Sequence, residues 1–435
     1  MEVRPGYKLT EVGVIPEDWG VRSVQEIGKI KTGPFGTLLK ASEYSDGEGV
    51  PLISVGEVGN GRFRITDDTP RVPISVVRRL PQYVLRAGDI VFGRKGAVDR
   101  SALVSLAEEG WFLGSDGISV RPSGICHPPY LAAQFQSWLV QSWLIQNAIG
   151  TTMPSLNQGI LGRVQIPYAL KAEQQAIATT LSDIDALIDG LTQLITKKRD
   201  IKQAAMQQLL TGKTRLPGFS GKWEVKRLGD HLSFMRNGVN SRAELVEEGT
   251  VKYLHYGDIH GAQDVYLNPR AAIMPFLPEA KADGLARLRD GDLVFADASE
   301  DLAGVGKAIE VQGASGVELV AGQHTIAVRF DKAVLADGFK AYLQYIPSFH
   351  RHLRRLAAGT KVYATNRAYI AGAELELPSA EEQIAVAAVF TDMDKELAVL
   401  ESRLTKTRAL KQGMMQELLT GRTRLVEPSK RKKMA

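Results

Sequence analysis

The chain has 435 residues, 44% of them hydrophobic and 24% charged. That balance buries cores, excludes a disordered polar chain and fits about two to four domains. The formal net charge of +5 and pI near 9.0 permit a nucleic-acid partner without demanding one. The single cysteine, Cys126, excludes an intramolecular disulfide and a multi-cysteine zinc site, and suits a reducing cytoplasm. The opening segment MEVRPGYKLTEVG lacks the apolar run of a secretory signal. No stretch approaches the roughly 18 apolar residues of a membrane span, so no membrane association is expected.

Residues 1–168 form a first half. Trp19 lies in IPEDWGVRSVQEIGKIKTG, followed by strand-like runs VPLISVGEV (50–58), LRAGDIVF (85–92) and GISVRP (117–122). Short alternating runs bounded by Gly and Asp read as strands of a small, curved or barrel-like sheet. An amphipathic helix is expected over 129–148, then a Gly-Thr loop, GTTMPSLN (150–157). Trp111, Trp138 and Trp143 are expected in the core or against helices, and Trp19 and Trp223 in structural roles.

A long helix is expected over 169–212. Apolar residues recur at steps of four and three: Ile177, Leu181, Ile184, Ile188, Leu191, Ile195. So narrow a stripe is a coiled-coil seam. After Ile195 the seam positions fall on Lys198 and Lys202, with Ile201 beside them, so the apolar stripe rotates.

Residues 213–378 repeat the first half faintly. Trp223 matches Trp19, VKYLHYGDI (251–259) matches VPLISVGEV, and LRDGDLVF (288–295) matches LRAGDIVF. TIAVRF (325–330), a helix over 337–356 and GTKVYATN (359–366) complete the series. A second long helix follows over 379–421, its seam Val386, Phe390, Met393, Leu397, Leu400 and Leu404. At a constant offset of 209, 20 of 43 positions agree between 173–215 and 382–424. Ser379 with Glu382 predicts a capping box, which Leu170 denies the first copy. Gly212 and Gly421 stand where helix-ending glycines belong. At about 1.5 Å per residue each helix spans roughly 55–60 Å. Residues 422–435 form a basic tail.

The repeat alone gives an α+β chain: two similar α/β domains and a helical spacer.

YKLTEVGVIPEDW (7–19), LLTGKTRLPGFSGKW (209–223) and the two EQ-initiated helices resemble the specificity subunit of type I restriction-modification systems, over essentially the whole chain. The resemblance implies that each variable domain is a target recognition domain for half of a bipartite double-stranded DNA site. It implies a fold of two similar α/β target-recognition domains joined by two long antiparallel coiled-coil helices, a pseudo-two-fold internal repeat whose helices act as a spacer and bind two methyltransferase subunits. Such symmetry suits contact with two half-sites on one DNA face, and because the halves differ in sequence an asymmetric bipartite site is expected. Where the system is complete, two restriction-motor subunits join. The chain itself would be non-catalytic and without a cofactor, with S-adenosylmethionine, ATP and Mg on its partners.

Other chemistry finds little support. HPPY (127–130) has His127 where base-gripping methyltransferase motifs carry Asn, Asp or Ser, and a helix starting at proline explains it more simply. TGKT (211–214) follows a helix and lacks the earlier glycine of a phosphate loop. The seven histidines show no HExxH pair, and no GxSxG elbow occurs. The Gly-Asp pairs at Asp89, Asp258 and Asp292 are expected as turns; Asp89 with Arg94 and Lys95 comes nearest to a nuclease cluster.

The candidate DNA contacts lie in loops. KTGPFG (31–36) offers Lys31, Thr32 and Phe35; GRKGAVDR (93–100) offers Arg94, Lys95 and Arg100; TTMPSLN (151–157) offers Thr151, Thr152 and Asn157. In the second half MRNGVNSR (235–242) offers Arg236, Asn237, Asn240 and Arg242, and the acidic DASEDLAG (297–304) offers Ser299. His324 in GQHT, with Lys361, Tyr363 and Asn366 in TKVYATN (360–366), completes the set. Arg and Lys suit phosphates and guanine, Asn suits adenine, and Asp accepts from cytosine. The run SKRKK (429–433) is a minor phosphate-contact candidate. Two other readings remain: a coiled-coil protein-interaction scaffold without DNA specificity, and a self-sufficient modification enzyme.

Overall fold

A computed structural model describes residues 3–45, 47–150, 152–357 and 362–427. The chain divides into two compact units, Met1–Thr192 with Ser402–Ala435, and Gln193–Glu401. Each long helix is therefore shared between the units.

In the first unit an antiparallel sheet runs in the order Gly28–Thr32, Gly117–Pro122, Ile90–Gly93, Ser101–Leu103. In the second unit the order is Leu232–Phe234, Thr325–Phe330, Leu293–Ala296, Ala308–Val311, Tyr266–Leu267. The registers match: Val120 faces Ile30 and Ile90, as Val328 faces Phe234 and Leu293. A three-stranded sheet accompanies each, centred on Val50–Ile53 and on Val251–Leu254. Among the described residues neither main sheet closes on itself, so both are open sheets and not barrels. Phe92, Ile118, Val120 and Phe135 bury one core; Phe295, Val328, Phe339 and Phe349 bury the other.

The Gly-Asp turns carry more than turn chemistry. Asp89 accepts from its own turn at the Arg86 amide (2.9 Å) and takes Arg121 Nε and Nη2 at 2.7 and 2.6 Å. Asp292 repeats this with the Arg289 amide and Arg329, all at 2.7 Å. Both carboxylates are buried, and their hydrogen bonds hold Arg121 and Arg329 above the usual arginine range. Asp89 is thus a sheet-rim brace, its carboxylate occupied by Arg121 and the Arg86 amide, while Lys95 pairs with Asp116.

Neither domain helix is continuous. The expected 129–148 helix breaks into Pro128–Phe135 and Trp138–Asn147, because Ser137 takes extended backbone and its hydroxyl accepts from the Val140 amide at 3.4 Å. The 337–356 helix becomes a 3-10 turn, Lys340–Tyr345, and a helix, Pro347–Leu356, since proline lacks the amide that would continue a turn. HPPY is the start of the first such helix: His127 is its N-cap, and the buried Tyr130 hydroxyl donates to the Pro167 carbonyl at 2.8 Å. Trp138 contradicts the core assignment, being 76% exposed at a helix start, whereas Trp19 is buried and Trp111, Trp143 and Trp223 are half-buried.

The long helices run Lys171–Leu209 and Ala380–Leu418, 39 residues each. Of the seam residues Ile177, Leu181, Ile184, Ile188, Leu191, Ile195, Val386, Phe390, Leu397 and Leu404 are buried; Met393 and Leu400 are half-buried. Within the first unit the two segments run antiparallel, with Ile177 and Leu181 packed in one cluster with Leu418 and Lys411 Nζ on Asp185 at 2.6 Å. Within the second unit Lys202 pairs with Asp394 and Lys198 with Glu396 (2.7 Å). Lys202–Asp394 and Lys411–Asp185 are the same pair at the repeat offset. Where the apolar stripe turns away, ion pairs hold the helices instead. Both helix-ending glycines have positive φ, +66° at Gly212 and +70° at Gly421, the left-handed backbone that glycine accepts most readily.

The EQ doublets fasten each helix to its domain. Gln174 donates to the Ala169 carbonyl and accepts from the His127 amide, both at 2.8 Å. Gln383 does likewise with Pro378 and the Ala336 amide, both at 2.9 Å. The capping box at Ser379 forms only halfway: its hydroxyl accepts from the Glu382 amide at 3.4 Å, but the Glu382 carboxylate is drawn to Arg215. A full positive charge outcompetes a backbone amide for a buried carboxylate.

Candidate nucleic-acid interface

In the first unit the three candidate loops meet. The Arg94 carbonyl accepts from the Leu156 amide and the Gly96 amide donates to the Pro154 carbonyl, both at 2.8 Å. Gln158 Nε2 donates to Thr32 Oγ1 at 3.1 Å, and the Arg94 guanidinium lies 6.0 Å from the Phe35 ring centroid. Gly33 is required here: a Cβ would lie 1.7 Å from the Gly114 carbonyl oxygen. Phe35 is 62% exposed there, Arg94 is half-buried, and Lys95, Arg100 and Thr152 are exposed on the joined loops. Lys31 sits over the Tyr83 ring at 4.7 Å, and Lys95 is 3.3 Å from Asp116. Asn157 has a local task, its Oδ1 accepting from the Ile160 amide at 2.8 Å to cap a short helix. Thr151 lies outside the described residues.

The second unit joins the equivalent loops with different side chains. The Asp297 carbonyl accepts from the Thr365 amide at 2.7 Å, and strand Ala298–Ser299 pairs with Tyr363–Ala364. Asn366 caps the next helix through the Tyr369 amide at 3.0 Å, as Asn157 does. Asn237 is held between the Gly322 carbonyl (3.2 Å) and Arg367 (3.3 Å). Asn240 donates to Glu244 at 3.0 Å; that carboxylate is pushed down to about 2, by Lys281 first and then by Ser241 and Asn240. Arg236 is exposed, and so is Arg242, 3.1 Å from Asp258. Ser299 is buried, its hydroxyl accepting from the Asp301 amide at 3.3 Å, so it braces the loop from inside. Lys361 and the run SKRKK lie outside the described residues.

The histidines gather partly. The rings of His255, His260 and His324 lie 4.5, 6.2 and 5.5 Å from that of Tyr256. Among the described residues no group of His, Cys, Asp or Glu is placed to hold a metal ion, and no helix is long and apolar enough to cross a membrane. Cys126 is buried, which pushes its thiol up to about 12. Sequence reasoning reached the acidic loop that begins at Asp297 without naming that residue as a contact, and passed over Asp116; each lies beside candidate residues, Asp116 against Lys95 and Asp297 against His324. Their signal was the alignment of FGRKG with FADAS and of GSDG with GQHT, which puts opposite charges at matched positions.

Comparison with known proteins agrees with this architecture. Residues 16–199 match the family model described as the type I restriction modification DNA specificity domain. The putative MjaX specificity subunit of a type I restriction enzyme of Methanocaldococcus jannaschii is 24% identical over 441 residues, covering 96% of this chain and 97% of that one. The StySPI specificity subunit of Salmonella potsdam is 24% identical over 431 residues, covering 94% and 90%. The crystal structure of the type I S subunit from M. genitalium matches with a TM-score of 0.56 at 14% identity, covering 96% of this chain and 98% of that one, which establishes a shared fold. In its duplicated domain and helix, its EQ anchors and these matches along its length, the chain is similar throughout to the specificity subunits of type I restriction-modification systems.

Proposed function

We infer that this chain reads an asymmetric bipartite site on double-stranded DNA and directs partner subunits to it. The observation that carries this is the convergence of loops 31–36, 93–100 and 152–157 on one surface. There the Arg94 guanidinium lies 6.0 Å from an exposed aromatic, Phe35, and the same loop exposes Lys95 and Arg100. Cations position a protein on phosphates, while side chains at base edges choose the sequence. The second unit builds the same junction with Asp297 and His324, which suits a different half-site.

Chemistry is left to the partners. Two methyltransferase subunits supply S-adenosylmethionine and the transfer step, and up to two restriction-motor subunits supply ATP, Mg and cleavage. The exposed faces of the long helices are the surface offered to the methyltransferases, and the assembly works in the cytoplasm. The chain alone is non-catalytic and binds no S-adenosylmethionine. The test is selection from a random duplex library by the chain with its methyltransferase partner. Two short conserved blocks separated by an unspecified spacer are expected. Binding without site preference would leave the scaffold reading in its place.

A further inference from the structure

One backbone junction occurs in both units with its charges exchanged. In the first unit the Arg94 amide donates to the Asp116 carbonyl at 2.7 Å, and the Arg94 carbonyl accepts from the Leu156 amide at 2.8 Å. In the second the Asp297 amide donates to the His324 carbonyl at 3.1 Å, and the Asp297 carbonyl accepts from the Thr365 amide at 2.7 Å. Arg94 thus corresponds to Asp297 and Asp116 to His324: the cation and the acid have changed places.

The side chains at this junction are incompletely used within the protein. Arg94 Nε is buried and makes no hydrogen bond, and neither does Asp297 Oδ1 or the buried Thr365 hydroxyl. His324 Nδ1 stands 3.3 Å from Asp297 Oδ1 without hydrogen-bond geometry. His324 also has φ +56°, the one positive value outside glycine among the described residues. A histidine held in left-handed backbone beside orphaned polar atoms is strain kept at a site with work to do.

We propose that this junction residue determines specificity in each half-site, Asp297 reading a cytosine in one and Arg94 a guanine in the other. The inference rests on the DNA-reading function above. A carboxylate on a DNA-facing loop is repelled by phosphates, so it needs a donor on a base edge to offset that cost. Cytosine N4 supplies one with no acceptor beside it, whereas adenine sets N7 next to its amine, facing the second carboxylate oxygen. His324 lies close enough to steady the carboxylate. Arg94 in the equivalent place presents donors, and guanine O6 and N7 are paired acceptors.

The experiment is genome-wide mapping of modified bases in cells carrying the full chain and its methyltransferase partner. Wild type, Asp297→Asn, His324→Gly and Arg94→Ala are compared. Asp297→Asn should relax one cytosine position of one half-site by about tenfold or more and leave the other half unchanged. His324→Gly, which relieves the left-handed backbone, should fold and relax that same position. Arg94→Ala should relax one guanine in the other half. If Asp297→Asn keeps the motif, shifts an adenine, or weakens all positions alike, the inference is overturned. If it abolishes methylation while His324→Gly keeps the wild-type motif, the inference is overturned as well. A wild-type chain that yields no bipartite motif would instead overturn the function on which it rests.

Discussion

Arg424 grips Glu173 across 251 positions of sequence, its Nη2 2.7 Å from one carboxylate oxygen. The same carboxylate accepts from Trp19 Nε1 at 2.8 Å, and Arg424 reaches on to Asp18 at 2.9 Å. In the second unit Arg215 and Glu382 make the equivalent pair, while the Trp223 Nε1 atom there is buried and makes no hydrogen bond. The repeat has preserved the ion pair and lost the tryptophan's share of it.

Arg424→Ala should therefore be costly although it lies close to the chain's end. Burial works against the Arg424 charge, yet hydrogen bonds to Glu173 and Asp18 hold it raised. Removing it strands Glu173, which is buried, and should destabilise the first unit by about 3 kcal/mol. Urea denaturation followed by tryptophan fluorescence measures this. A loss under about 1 kcal/mol would mean that the pair behaves as a surface ion pair.

Stability should fall on the acid side. Burial, then the Arg242 charge, holds His255 below its ordinary value of 6.5, and burial with Lys171 does the same to His127. His255 Nδ1 accepts from the Gly257 amide at 3.3 Å, which a protonated ring cannot do. The unfolded chain then binds protons that the folded chain refuses. The effect is absent well above 6.5 and grows as pH falls through it towards the folded values. Denaturation at pH 7.5 and 5.5 should show the decline, and His255→Asn, which can still cap, should reduce it.

Asn157 and Asn366 separate capping from reading. Asn157→Ala and Asn366→Ala should each cost about 1 kcal/mol and leave the recognised bases unchanged, since each Oδ1 is spent on a helix amide. Thermal unfolding and motif mapping together check this. A changed motif at full stability would make them base readers.

The spacer is open to a length test. Seven residues added at matched positions in both long helices keep the seam in phase and add about 10 Å, or roughly three base pairs. The unspecified spacer should lengthen accordingly with both half-sites intact, as motif mapping of the variant would show.

Much of this was legible because helical periodicity and a repeat are local signals. Ile177 to Ile195 announced a seam, and Gly212 and Gly421 announced helix ends. What was not legible depended on distant partners. Gly-Asp at Asp89 reads as a turn, but its arginine is 32 residues away. Glu382 reads as half of a capping box, but Arg215 takes it. Ser137 and Pro347 interrupt helices whose apolar pattern runs on regardless. Asn157 and Asn366 looked like adenine readers because type and loop position suggest that role, while the amides they cap become visible only in three dimensions. Ser299 looked exposed because its loop is polar, though its side chain turns inward.

The central claim is that each domain reads its own half of one DNA site. The most direct test replaces residues 20–165 with those of another family member and maps methylated bases in cells that also carry the methyltransferase partner. One half of the bipartite motif should change while the other half is retained. A change in both halves, or in neither, would contradict the account.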